Sequence, residues 1–193
     1  MVITSSRPSV RQRNELTDSI LAQIKNYYIG QFDQKTRLTE EITDSTIEWS
    51  FSSLPLNKGD YDGVLLSVYV PTAKNMRGVL EGDMNRDGRS DLVVSVHTEG
   101  GGGGGNMYWD DHFLFIGAEQ NGYKLTDIKS DGEINGCGGG YLYPEKIEHG
   151  IIYGRADCYA DEDGHCCPSL HYAVQIIYRN GELVRLYKQP ITH

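Results

Sequence analysis

The sequence predicts an α+β fold, with an N-terminal helix packed on a mostly antiparallel β-meander and a disulfide-stapled C-terminal half. Three observations carry this reading. Apolar residues recur at helical spacing near the N-terminus and then give way to alternating or continuous apolar runs of strand length. Glycine (23) and tyrosine (13) are abundant among the 193 residues, a composition of turns and strands. All four cysteines fall in the last third of the chain, near glycine-rich segments.

The elements follow in order. Residues 1–13 are polar and unpatterned and read as a flexible leader, while 14–193 read as one domain because no change of composition divides them. Residues 14–35 read as an amphipathic helix, with Leu16, Ile20, Ile24, Tyr27 and Tyr28 on one face, Asn14 as its cap, and Glu15 and Asp18 in the first turn. From residue 46 the period changes to two: Ile47, Trp49 and Phe51 alternate with polar residues. Apolar runs then appear at 63–72, 77–83, 91–96, 112–118, 123–128, 141–147, 150–159, 171–178 and 182–187. Asn121-Gly122 and Asn180-Gly181 mark hairpin turns. Eight to ten strands in a meander are expected.

The formal net charge is −9 and the sequence pI about 5.1. This balance argues against nucleic acid, whose affinity rests on Lys and Arg neutralising phosphates. It favours cations or a protein partner, a basic one in particular. No apolar run is long enough to cross a bilayer, and the first residues lack the charged and apolar regions of a signal peptide.

Cys137, Cys158, Cys166 and Cys167 form an even, clustered set of the kind that oxidising compartments favour. Adjacent Cα atoms lie about 3.8 Å apart, below the usual disulfide range, so direct pairing of Cys166 with Cys167 is disfavoured. Cys137 is expected to join one of the adjacent pair and Cys158 the other. Zinc held by the cysteines with His165 or His171 is the competing reading; it lacks any C-x-x-C unit. A reduced protein with buried thiols is another. Disulfides imply a periplasmic, cell-surface or secreted location with a signal peptide removed, and a lipid anchor ahead of residue 1 is compatible with it.

The densest chemical signal lies at 83–91. Asp83, Asn85 and Asp87 place side-chain oxygens at every second position, Gly88 permits a sharp turn, and Asp91 adds a carboxylate. An oxygen-rich cage of this type suits Ca²⁺. The twelfth position is Val94, not the Glu of an EF-hand. The string D-x-N-x-D-G-x-x-D resembles the calcium loops of FG-GAP and VCBS repeats. The resemblance covers about a dozen residues and implies Asp83, Asn85, Asp87, Asp91 and the Arg89 carbonyl as ligands. A metal-free turn rich in Asp, Asn and Gly is the alternative. The string from Asp161 to Ser169 is also similar to the C-terminal part of some bacterial envelope lipoproteins, which bears on location.

No nucleophile elbow, zinc-protease helix or phosphate loop is present, and the six glycines at 100–105 lack the Lys-Ser/Thr that follows in a phosphate-binding loop. His112 beside Asp111 is the most suggestive pair for general-base chemistry, yet adjacent strand residues point to opposite faces. Tyr108, Trp109, Tyr141 and Tyr143 suit either an exposed aromatic surface or cross-strand packing. The sequence therefore reads as a non-enzymatic extracytoplasmic calcium-binding protein with a protein-binding role, such as an inhibitor or immunity protein of a secreted toxin. A carbohydrate- or surface-binding module, or a hydrolase built around His112, are the alternatives.

Overall fold

A computed structural model describes residues 17–43, 46–53, 64–71, 78–100, 108–119, 122–164 and 167–191. The leader expected at 1–13 lies outside them, as do Gly101 to Gly105 of the glycine run. Eleven strands and two helices occupy the described residues. The architecture is mainly antiparallel β, which corrects the α+β expectation: strands dominate and the N-terminal helix is one short element. Among the described residues one disulfide has both its cysteines, Cys137–Cys158, in the C-terminal half.

Helix α1 spans Asp18–Ile29, shorter than the 14–35 expected. Its cap is Thr17, whose hydroxyl accepts the Ile20 N–H at 3.4 Å, so the helix begins after the expected cap Asn14, which is outside the described residues. Ile20, Ile24 and Tyr28, four residues apart, are its buried stripe.

The first sheet contains β1 (Arg37–Ile42), β2 (Thr46–Ser52), β3 (Val64–Pro71), β4 (Val79–Gly82), β5 (Asp91–Gly100), β6 (Tyr108–Gly117) and β7 (Tyr123–Ser130). Its order is β1-β2-β3-β5-β6-β7, with β4 also on β5. One edge of β5 is shared: β4 pairs with its first half, Val79 opposite Val94, and β3 with its second, Tyr69 opposite His97. Strand β1 escaped sequence reading because its burial shows no alternation; as an outer strand it is exposed at nearly every position.

The second sheet contains β8 (Tyr141–Glu148), β9 (Ile151–Cys158), β10 (Leu170–Arg179) and β11 (Glu182–Pro190), in the order β11-β10-β9-β8. Asn180 and Gly181 both take positive φ, 54° and 94°, the twist that a two-residue hairpin needs. His149 and Gly150 do the same between β8 and β9, at 54° and 77°.

Alternation divides the core in two. On one face of the first sheet Trp49, Phe51, Val68, Val94, Phe113 and Phe115 pack under α1. On the other, Val93 and Leu114 pack against Leu142, Ile152, Ala156, Val174 and Ile176 of the second sheet. The layers are therefore helix, sheet and sheet, with β5 and β6 contributing to both cores.

Between β7 and β8 a single helical turn, α2 (Asp131–Ile134), is closed by Glu133, which accepts the Ser130 N–H at 2.8 Å. The turn that follows carries Cys137 to Cys158, with Cα atoms 5.7 Å apart. This corrects the expected pairing of Cys137 and Cys158 with Cys166 and Cys167. The reason is the β8–β9 register, which sets Tyr141 opposite Asp157 and so brings the 135–140 turn alongside Cys158. Gly140 permits the approach: a Cβ there would lie 2.1 Å from the Asp157 carbonyl oxygen, and its φ is +90°. Cys167 is also disulfide-bonded.

Candidate functional site

On the face of the first sheet toward the second sit two His–Asp pairs, His97–Asp110 across β5 and β6 and His112–Asp131 between β6 and α2. Ser95 lies opposite His112, and His97 opposite Asp110. Their surroundings differ sharply.

His112 is 1% exposed. Its Nε2 is 3.0 Å from Asp131 Oδ1, and its Nδ1 is 2.9 Å from Ser95 Oγ. A carboxylate only accepts, so Nε2 donates to Asp131, and a neutral ring then accepts from Ser95. Asp131 also accepts the Leu142 N–H at 2.8 Å and the Asp110 N–H at 2.9 Å. The chain of groups is closed and buried, and it ties β5, β6, α2 and β8 together. Asp111, the sequence neighbour of His112, does point to the opposite face, where Tyr28 of α1 donates to it at 2.7 Å. Burial there holds the Asp111 carboxyl above the usual carboxylate range.

His97 lies at the surface, its side chain 40% exposed. Nδ1 is 2.9 Å from Asp110 Oδ1, and Nε2 is 3.5 Å from Glu99 Oε1. The bond to Asp110 is the main cause that raises the imidazole above its ordinary value. Tyr69 donates to Glu99 at 3.4 Å. Burial, then the charges of Glu48 and Glu99, push its hydroxyl up to about 12.

Aromatic rings continue outward from this pair. The His97 ring lies 5.8 Å from Tyr69 and 5.7 Å from Tyr108. Tyr108 stacks on Tyr141 at 5.0 Å with only 5° between ring planes, and Tyr143 follows at 6.4 Å. The Tyr141 and Tyr159 hydroxyls meet at 2.8 Å. Burial and these phenol neighbours raise the Tyr141 hydroxyl strongly. Beyond it, Arg155 lies over the Tyr143 ring at 4.9 Å and bridges Asp157 at 3.0 Å, and His171 bonds the same Asp157 at 2.7 Å. Tyr108 and Tyr143 are 37% and 41% exposed, enough of each ring to meet another surface. The whole forms a polar, aromatic corner between the first sheet and β8.

The sequence singled out Tyr108, Tyr141 and Tyr143, and the structure brings them together; it turns Trp109 to the other face, against the α1 core. Tyr69, His97, Glu99 and Tyr159 were missed. Tyr69, His97 and Glu99 lie in apolar or glycine-rich strings and Tyr159 in an acidic one, and only the tertiary structure gathers them. Asp131 was also missed, although Ser130 and Glu133 are spaced as a capping box and mark the turn that aims it. His171, a zinc candidate on sequence, is committed to Asp157.

The 83–91 loop joins β4 to β5, with Gly82 opposite Asp91. Asp83 accepts the N–H groups of Asp87 (3.1 Å) and Gly88 (2.9 Å), and Asn85 accepts that of Asp87 (3.0 Å). Asp87 accepts from the Arg89 N–H at 2.9 Å, which holds its carboxyl below the usual range. Asp91 is fully buried, and its two oxygens accept the N–H groups of Met84, Asn85 and Gly117. Asp91 thus anchors the loop to the end of β6, while Asp83, Asn85 and Asp87 stay nearer the surface. Among the described residues no three His, Cys, Asp or Glu side chains gather as a metal-holding group. Asp83, Asn85 and Asp87 carry side-chain oxygens of the kind a hard cation takes.

Comparison with known protein families, curated proteins and solved structures finds no match for this chain. Among the described residues no helix is long and apolar enough to cross a membrane.

Proposed function

We propose that this chain is an extracytoplasmic protein that binds another protein through the tyrosine corner, in the manner of an inhibitor or immunity protein, with calcium held by its 83–91 loop. The carrying observation is the run of rings from Tyr69 through His97, Tyr108 and Tyr141 to Tyr143, flanked by charged groups. Tyrosine supplies large contact area at low entropic cost and ends in a hydroxyl, which is why it is enriched where proteins meet. The Cys137–Cys158 bond supports an oxidising location. For calcium, Asp83, Asn85, Asp87 and the Arg89 carbonyl are the donors, with Asp91 as a further oxygen source behind them. The ion's task is to hold the β4–β5 connection.

The test is capture from envelope and secreted extracts with immobilised protein, comparing the native chain with Tyr108→Ala. One dominant protein held by the native chain and lost in the variant supports the reading. Equal capture by both removes the corner from it. Calcium is tested separately: it raises the thermal midpoint over chelator-treated protein, and the rise disappears in Asp83→Asn with Asp87→Asn. An unchanged midpoint removes the ion.

A carbohydrate-binding role is the second reading, favoured by one observation: the stacked Tyr108–Tyr141 pair lies beside Asp110 and Glu99, acceptors for sugar hydroxyls. A glycan array separates the two.

A further inference from the structure

Four cation–ring pairs occur among the described residues. Lys25 lies over Trp49, Lys146 over Tyr153, Arg155 over Tyr143 and Lys188 over Tyr172, between 3.9 and 5.5 Å from the ring centres. Among the described residues no Lys or Arg lies over either ring of the stacked pair Tyr108–Tyr141. Glu99 and Asp110 beside it likewise have no Lys or Arg partner among the described residues. Their cationic neighbour is His97, shared between them at 3.5 and 2.9 Å. Glu99 is 53% exposed and Asp110 31%, so both reach solvent.

We infer that the corner receives an arginine side chain of the partner protein, stacked on the Tyr108–Tyr141 face and paired with Glu99 and Asp110. This rests on the protein-binding reading and names the chemistry of its partner. Planarity selects arginine over lysine: a guanidinium stacks on a phenol ring while its edge donates to carboxylates, whereas an ammonium is a strongly hydrated point charge. Two carboxylates against one imidazole leave a local negative charge, in keeping with the net charge of −9. His97 competes for the same acids when protonated. The groups facing it are Tyr69 from β3, Glu99 from β5, and Tyr108 and Asp110 from β6. Arginine binding therefore strengthens as pH rises through the His97 titration and weakens below it.

The experiment is a chemical-shift titration of the intact, disulfide-bonded chain with acetyl-Gly-Arg-Gly-amide, its lysine counterpart and its citrulline counterpart, each carried to high millimolar concentration. Citrulline keeps the shape of arginine and removes the charge. The expected result is shifts at Tyr108, Tyr141 and His97 with arginine, several-fold weaker affinity with lysine, and none with citrulline. Tyr108→Ala and Glu99→Gln each weaken the arginine response about tenfold, the scale of one cation–π or charged contact. No shift at these residues, or equal response to citrulline, overturns the inference. Saturating choline binding without preference for arginine also overturns it and points to a small quaternary ammonium ligand. If Tyr108→Ala abolishes capture from extracts while the peptides leave the corner unshifted, the arginine inference fails and the protein-binding reading stands. If capture is indifferent to Tyr108→Ala, that reading fails instead.

Discussion

Two His–Asp pairs meet on one face of the first sheet, His112–Asp131 between β6 and α2 and His97–Asp110 across β5 and β6, yet their surroundings are opposite. In His112–Asp131 the side chains are 1% and 2% exposed; in His97–Asp110 they are 40% and 31% exposed. The difference is what lies above them. The second sheet and α2 roof the first pair, so every donor and acceptor there is answered within the protein. The second pair lies toward the end of β5 and the start of β6, where the roof stops and tyrosines take over. One chemistry thus gives a buried structural tie where it is covered and a solvent-exposed pair where it is not. A buried pair costs much to break because its surviving partner cannot reach water, whereas an exposed pair is solvated either way.

Three changes test that contrast. The largest effect is expected at Asp131. Asp131→Ala strands the N–H groups of Asp110 and Leu142 and one nitrogen of His112, and is expected to destabilise by about 3–5 kcal/mol in chemical denaturation. A loss below about 1 kcal/mol would refute the role of a buried tie.

Next is the disulfide, which fixes the turn between α2 and β8 and so the roof over His112. Replacing Cys137 and Cys158 with serine opens a link between residues 21 apart. The expected loss is about 3 kcal/mol on chain-entropy grounds. Ring shifts should be largest at His112 and small at His97; the reverse pattern would place the disulfide's influence at the surface site.

The smallest effect on stability is expected at His97. His97→Ala should cost less than about 1 kcal/mol, because the pair is solvent-exposed. Its folded-state imidazole is raised above 6.5, chiefly by Asp110. The pair's contribution is therefore complete below pH 6.5 and declines as pH rises through the raised value. Titration of the His97 ring by NMR should give a value above that of an unfolded peptide, and Asp110→Asn should bring it down. A His97 value that ignores Asp110→Asn would separate the ring from its partner.

The strands from 46 onward were legible because alternation and Asn-Gly turns are local signals. The 180–181 hairpin sits where those residues placed it, with both φ values positive. The helix face was legible at Ile20, Ile24 and Tyr28, while its start was not, since Asn14 and Thr17 are both good caps and only packing chooses between them. Strand β1 was invisible because its acidic, exposed sequence acquires strand character by pairing Leu38 and Glu40 with Phe51 and Trp49.

Of the candidate site, the sequence by itself supplied the side chains: the tyrosines near 108 and 141, the oxygen-rich loop at 83–91 and the four cysteines. Tertiary structure decided which of them meet. It paired Cys137 with Cys158 because strand register brings the 135–140 turn beside β9. It gave Asp131 to His112 across 19 positions, and joined Tyr108 to Tyr141 across 33 residues of chain. Those contacts depend on which strand lies beside which and on where one sheet stops covering the other. Neither property is written in any local period of the chain, because side-chain alternation fixes the face a residue takes and leaves its neighbour across the sheet undetermined.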